Sequence, residues 1–218
     1  MAHPRRVLPT VSSQPSEAEV DEDRLVRLGV FGGTFDPPHV GHVSLARELQ
    51  ASGALDEILW IPAGVPPHKS TNRLTSPALR MAMVRAATDG CAHQSVSDIE
   101  LLREGPSYTV DTLRAIRSKR PDAHTVLIMG SDQFAELAEW REAEEVVRLA
   151  DVCVWARGDV ELTKVLPRLD VVWTAADVPP VDVSSSQIRR RVREGRPYGH
   201  LVPVAVADII EREGLYLE

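Results

Sequence analysis

VFGGTFDPPHVGHV, residues 30–43, is the stretch on which the reading of this 218-residue chain turns. An apolar-rich run over residues 25–31 stops at Gly32 and Gly33. A loop stiffened by Pro37 and Pro38 follows, and apolar helical spacing begins near Val40. A strand, a glycine turn and a helix start in that order bring backbone N–H groups and the positive end of a helix dipole onto a phosphate. Gly32 and Gly33 let the backbone turn tightly and approach a ligand with no Cβ in the way. His39 and His42 stand three apart at the helix start, so both imidazoles share a face. There they can hydrogen-bond phosphate oxygens and offset charge as a phosphoryl group is transferred. Gly41 between them keeps that surface low. The stretch is therefore read as the cradle of a nucleoside triphosphate.

Other readings of the same residues are weaker. A zinc site on a helix needs two histidines four apart, and no cysteine lies near this pair. A structural role explains one buried histidine but not two His, three Gly and two Pro within eleven residues. No GK[ST] follows the glycines, so a Walker A loop is absent, as is the dinucleotide pattern GxGxxG.

Outward from the stretch, strands and helices alternate. Helical apolar spacing covers residues 40–51 (Val43, Leu45, Ala46 and Leu49 inward, ending at Ser52 and Gly53), 77–87 (Leu79, Met83, Val84 and Ala87), 109–120, 142–149, 184–193 and 203–213. Ser107 or Thr109 is expected to cap the helix ending near Arg120. Strands are expected over residues 57–62, 94–99, 125–129, 151–156 and, last, 169–173. This order argues for an α/β, Rossmann-like, doubly wound and mainly parallel sheet with helices on both faces. Such sheets bind ligands at the carboxyl ends of their strands. Gly32, His39, Gly64, Asp132 and Arg157 all follow expected strand ends and so are candidates to line one cleft.

Composition sets bounds. Apolar residues make up 43% and charged residues 26%, as in an ordinary globular protein. A net charge of −7 argues against a nucleic-acid binder working through bulk electrostatics, though not against a local phosphate pocket. Cys91 and Cys153 form no CxxC pair, which fits a reducing cytoplasm, and no apolar run is long enough to span a membrane. Residues 1–24 are basic, then polar, then acidic, without the apolar centre of a signal peptide. They are expected to be a disordered tail preceding a single domain over residues 25–218.

GGTFDPPHVGH resembles the signature of the HxGH nucleotidyltransferase superfamily. Further motifs follow in order: PPHK at 66–69, PSYTVDTL at 106–113, GSDQF at 130–134, Trp140, SSSQIR at 184–189, and the ending LVPVAVADIIEREGLY. Together they resemble bacterial nicotinate-nucleotide adenylyltransferases over residues 27–218, a far more specific match than HxGH alone. The resemblance implies that the 5′-phosphate of nicotinate mononucleotide attacks the α-phosphorus of ATP, with Mg²⁺ on the triphosphate and no covalent enzyme intermediate. Catalysis then lies in alignment and charge stabilisation, and no residue here looks like an activated Ser or Cys.

Carried onto this sequence, the resemblance implies that His39, His42 and Arg189 act on the reacting phosphates, with His68, Lys69 and Asp132 near them. It implies ATP contacts from Gly32, Gly33, Thr34 and Phe35 and from Ser185, Ser186 and Arg189, with Ser186 standing where the family often has Thr. Trp140, in the polar stretch AELAEWREAEE, is implied to stack on the nicotinate, whose carboxylate receives backbone N–H groups near Thr109 and Arg141. Residues alone add that Ser184 and Gln187 have capping-box spacing, that Ile188 and Val192 share a buried stripe, and that Arg189 lies on another face. Three alternatives stay open: a sister enzyme acting on pantetheine phosphate or a phosphoalcohol, a non-catalytic ATP sensor, and a tRNA-synthetase fragment. The last lacks a KMSKS segment. The sequence leaves the oligomeric state open.

Overall fold

The computed structural model describes residues 24–65, 74–156, 161–164, 166–179 and 181–218. Six parallel strands form one sheet: β1 (Val26–Gly33), β2 (Glu57–Pro62), β3 (Gln94–Val96), β4 (Ala123–Gly130), β5 (Asp151–Trp155) and β6 (Trp173–Ala175). Their spatial order is β3-β2-β1-β4-β5-β6, so the chain winds outward from β1 to one side and then from β4 to the other. The crevice of such a sheet opens at the carboxyl ends of β1 and β4, where the order reverses. The stretch quoted above leaves β1 at that crevice.

Alternate residues of the central strands feed two cores, as parallel strands covered on both faces require. Phe31, Val126 and Ile128 join α1 (Val40–Ala51), α2 (Pro77–Thr88), α6 (Ser185–Arg193) and α7 (Val204–Arg212) on one face. Leu28, Val30, Leu127 and Met129 join α3 (Thr109–Lys119), α4 (Ser131–Ala135) and α5 (Ala143–Leu149) on the other. Ile188 and Val192 of α6 are buried, as their spacing predicts. Each aliphatic side chain taken fully from water contributes about 1.5–3 kcal/mol, so the two faces are the main source of stability.

Local signals explain the helix ends. Ser76 accepts from the Leu79 N–H at 3.3 Å and Pro77 opens α2, where its missing N–H costs nothing. Past α1, Gly53 turns left-handed at φ +71° and its N–H bonds the Gln50 carbonyl at 2.9 Å. Ser184 accepts from the Gln187 N–H at 3.2 Å at the start of α6. The reciprocal half of that capping box is missing, because Gln187 Oε1 has no partner among the described residues.

Several sequence expectations need correction. The last strand is not residues 169–173: the ladder with β5 begins at Trp173 and ends at Ala175. Strand β3 covers three residues, not six. Neither Ser107 nor Thr109 caps α3; Tyr108 holds the cap position without a side-chain bond, and the Ser107 hydroxyl donates to the Glu100 carbonyl at 3.3 Å. In α2, Leu79 is only half-buried and Arg80 takes the fully buried position. Of the tail expected over residues 1–24 only Arg24 lies within the described residues, where it pairs with Asp56 at 2.5 Å. No helix among the described residues is long and apolar enough to cross a membrane.

Candidate active site

Beyond β1 the backbone does not turn at the glycines. Neither Gly32 nor Gly33 has a positive φ; the left-handed residue is Phe35, at φ +49°. A bulky residue in that region is costly and persists only where its surroundings over-determine it. Here the ring is 2% exposed and packs edge-on to Phe31 and His42, with centroids 5.5 and 5.1 Å away. Phe35 therefore offers a ligand only its backbone. Gly33 is required by packing, since a Cβ there would stand 2.9 Å from the Phe35 ring. Gly32 faces open space, with nothing within 4 Å of the place a Cβ would take. That is the room a ligand approaching the strand end needs.

His39 and His42 lie on one face of the α1 start, as their spacing predicts, and stack with centroids 3.6 Å apart. Both are buried. His42 Nδ1 accepts the His39 backbone N–H at 3.2 Å, so a neutral His42 ring carries its proton on Nε2. Phe31, Phe35 and Trp155 surround the His42 ring at centroid distances of 5.8, 5.1 and 6.3 Å and fix its plane. Gly41 is where it is because a Cβ would stand 3.1 Å from Val183 Cγ1 and 3.2 Å from His39 Nδ1.

Helix α6 docks onto the loop just before His39. The Ser185 hydroxyl donates to the Pro37 carbonyl at 2.8 Å, and Arg189 Nη1 donates to the Asp36 carbonyl at 2.7 Å. Arg189 Nη2 reaches the Ser186 hydroxyl at 3.3 Å. Residues almost 150 positions apart are thereby brought together, and the α6 N-terminus, a natural anion site, sits beside the histidine loop. Ser185 spends its hydroxyl proton on the loop, so its own backbone N–H is the donor it has left for an anion.

Beneath the loop lies a group the sequence reading missed. Arg80, 1% exposed, donates from Nη1 to the Thr34 carbonyl at 3.0 Å and from Nε to the Thr75 carbonyl at 3.1 Å. Burial lowers its pKa from the ordinary value, and the charge of buried Asp36 works against that shift. An arginine still stays charged under these conditions, and a buried charge is tolerated only when paired and hydrogen-bonded. A cation on the face of α2 that also carries Met83, Val84 and Ala87 was the available signal, since it demands an anion inside.

Across the crevice, Thr109 opens α3 and Trp140 ends a 3₁₀ turn (Leu137–Glu139) after α4. The Arg141 guanidinium lies 4.5 Å from the centre of the Tyr108 ring, which joins the two segments. Among the described residues no backbone carbonyl accepts the Thr109 or Arg141 N–H. Trp140 is half-buried, its body against the α3–α5 core, whereas Trp60 and Trp155 are fully inside. Asp132 is exposed in the first turn of α4, at the end of β4, and Gly130 holds the cap position, so Asp132 is not the N-cap.

Strand β2 feeds the same crevice. A Cβ on Gly64 would stand 2.3 Å from the Glu100 carbonyl oxygen, so only glycine fits there. The Thr112 hydroxyl donates to the Glu100 carboxylate at 2.8 Å, and the Val65 carbonyl accepts the Ser107 N–H at 3.0 Å. Burial raises the pKa of Glu100, while its bonds from Thr112 and Gly64 oppose the rise. These contacts tie the end of β2 to the start of α3. His68, Lys69 and Arg157 lie outside the described residues.

The β1/β4 switch point, flanked by paired histidines and an arginine-bearing helix, is the architecture of a nucleotidyltransferase. The cytidylyltransferase-like family model matches residues 30–191. Within that class, the chain belongs to the nicotinate-nucleotide adenylyltransferase family. It is 40% identical over 195 residues to a "Probable nicotinate-nucleotide adenylyltransferase" of Thermomicrobium roseum, covering 87% of this chain and 91% of the relative. It is also 40% identical to the protein of that name from Dehalococcoides mccartyi, covering 88% and 97%. Its fold matches that of Plasmodium falciparum nicotinic acid mononucleotide adenylyltransferase complexed with NaAD, with a TM-score of 0.71 over 88% of this chain and 100% of that one, at 20% identity.

Proposed function

We propose that this chain transfers the adenylyl group of ATP to nicotinate mononucleotide. An oxygen of the mononucleotide's phosphate bonds to the α-phosphorus, the bridge to the β-phosphate breaks, and pyrophosphate leaves with its electron pair. The second product is deamido-NAD. The attacking phosphate is already ionised, so no protein nucleophile is required, and the work left is alignment and charge stabilisation.

One observation carries the reading: the α6 N-terminus is bonded through Ser185 and Arg189 to the loop that delivers His39 and His42. Anion-seeking groups from two distant segments then bear on one ligand. In this reading Gly32 and the Thr34 backbone line ATP, the Ser185 and Ser186 amides hold its phosphates, and His42 Nε2–H and Arg189 meet the charge that grows during transfer. The reading also assigns Asp132, His68 and Lys69 to the phosphates, the last two lying outside the described residues. Mg²⁺ would accompany the triphosphate and would supply neutralisation of its charge there. Among the described residues no cluster of three or more His, Cys, Asp or Glu side chains could hold a metal ion. The chain's work on ATP and its two unpaired cysteines suit the cytoplasm.

The mononucleotide half rests on Thr109, Trp140 and Arg141. Two backbone N–H donors suit a carboxylate, whereas an amide presents an NH₂ where an acceptor is needed. With ATP and Mg²⁺, the acid mononucleotide is expected to exceed the amide in kcat/KM by about 100-fold, on the order of what an unpaired buried donor costs. Equal values in side-by-side steady-state assays would remove this account of specificity, and turnover with pantetheine phosphate alone would assign the chain to the sister reaction.

Stacking on the indole gives a second expectation. Trp140→Ala raises KM for nicotinate mononucleotide about 10-fold or more, since an aromatic stack contributes about 1–3 kcal/mol per base. KM for ATP stays put. An unchanged mononucleotide KM removes Trp140 from the substrate pocket.

A further inference from the structure

The last residues of the chain fold back beneath the phosphate loop. Beyond α7, Gly214 and Tyr216 both turn left-handed, at φ +59° and +66°. For a tyrosine that conformation is an outlier that its surroundings must hold in place. The turn sends the Tyr216 hydroxyl 180 positions back along the sequence, where it donates to Asp36 Oδ1 at 2.6 Å. Asp36 is 1% exposed, and its second oxygen accepts the Thr75 N–H at 3.3 Å. Arg80 supplies the nearby positive charge. Burial, with Asp36 beside it, pushes the Tyr216 phenol far above its ordinary pKa, so it remains a donor at every working pH.

Asp36 is also the residue whose carbonyl holds Arg189 at 2.7 Å, and the next carbonyl, that of Pro37, holds Ser185. The side chain of Asp36 is thus gripped from the C-terminus and its backbone grips α6. We propose that Tyr216 is a positioning residue for adenylyl transfer: by holding the Asp36 side chain it sets the carbonyls that orient Arg189 and Ser185 against His42. It touches no substrate and acts through Asp36. The inference rests on the reading of His42 and Arg189 given under the proposed function.

The test uses the full chain. Tyr216→Phe keeps the ring and removes the hydroxyl. Its kcat is expected to fall about 10-fold, with KM for ATP and for nicotinate mononucleotide each within about twofold, as a misaligned catalytic group requires. Combined with Asp36→Ala, which removes both acceptor oxygens, it is expected to cost no more than Asp36→Ala alone, because the hydroxyl then has no carboxylate left to hold. Tyr198→Phe is the control: it removes a hydroxyl bonded to Glu211, away from the loop, and leaves kcat unchanged. A melting temperature that drops while kcat stays at the parent value would make Tyr216 merely structural and overturn the proposal, as would additive losses in the double variant. His42→Ala separates the two levels. If it lowers kcat by about 10²-fold or more while Tyr216→Phe does not change kcat, only this proposal fails; if it too is silent, the site reading fails with it.

Discussion

His42→Ala is expected to lower kcat by about 10²–10³-fold while leaving KM for ATP within a few-fold, the range lost when one preorganised donor to a developing oxyanion is removed. The geometry sets this expectation in three steps. The N–H of His39 donates to His42 Nδ1 at 3.2 Å, which leaves Nε2 as the protonated nitrogen of the neutral ring. Three aromatic rings and the stacked His39 hold that ring in one plane, so the donor is aimed before substrate arrives. A donor already in place spends no reorganisation at the moment of transfer, and a buried setting makes its charge interaction stronger than in water. Ground-state binding of ATP draws on many other contacts, so KM moves little. His42→Asn tests the donor directly, since its amide can donate though from a shorter reach; it is expected to recover part of the loss. A kcat near the parent value for His42→Ala would remove the residue from the transition-state role.

Much of the geometry of this candidate site is legible because its residues are local in sequence. Gly32 to His42 lie within eleven residues, and i, i+3 spacing alone puts both histidines on one face. The α6 cap at Ser184 and the buried pair Ile188 and Val192 were equally readable from helical spacing. What periodicity could not deliver were long-range polar contacts. Asp36 is an ordinary loop aspartate until Arg80, Thr75 and Tyr216 close on it from 39 to 180 positions away. Helical spacing puts Leu79 inward, yet Arg80 takes the buried position, because a buried carboxylate demands a cation beside it.

The misplaced last strand has a different cause. Residues 169–173 (LDVVW) are apolar apart from Asp170, and Leu169, Val171 and Trp173 do pack against the core. Pairing, however, is fixed by β5, whose Val152 stands opposite Trp173, so the ladder starts where the apolar run ends. An edge strand needs one partner and one covered face, and hydrophobicity says little about register there. In the same way Gly32 and Gly33 looked alike in sequence, yet Gly33 answers to the Phe35 ring and Gly32 to open space.

Arg189→Ala is expected to reduce kcat/KM for ATP by about 10³-fold, within the range by which an arginine on a transferring phosphoryl group raises turnover. Two losses add in this variant. On the proposed reading the guanidinium no longer meets the phosphates, and the Asp36 carbonyl and Ser186 hydroxyl lose a donor at 2.7 and 3.3 Å. The second loss loosens α6 from the histidine loop, while the Ser185 bond to the Pro37 carbonyl stays in place. Arg189→Lys discriminates between the two. An ammonium is a point charge and cannot hold the Asp36 carbonyl, the Ser186 hydroxyl and a phosphate oxygen in one plane as the guanidinium fork does. It is expected to regain less than about 10-fold of the loss, because charge returns without the fork's alignment. Recovery to near the parent rate with lysine would show that charge alone matters and that the bond to Asp36 does not align the catalytic group. Stability gives an independent check: α6 is anchored mainly by buried Ile188 and Val192, so both variants are expected to unfold within a few degrees of the parent. A collapse of the melting temperature in Arg189→Lys would instead trace the kinetic loss to unfolding of the α6 dock.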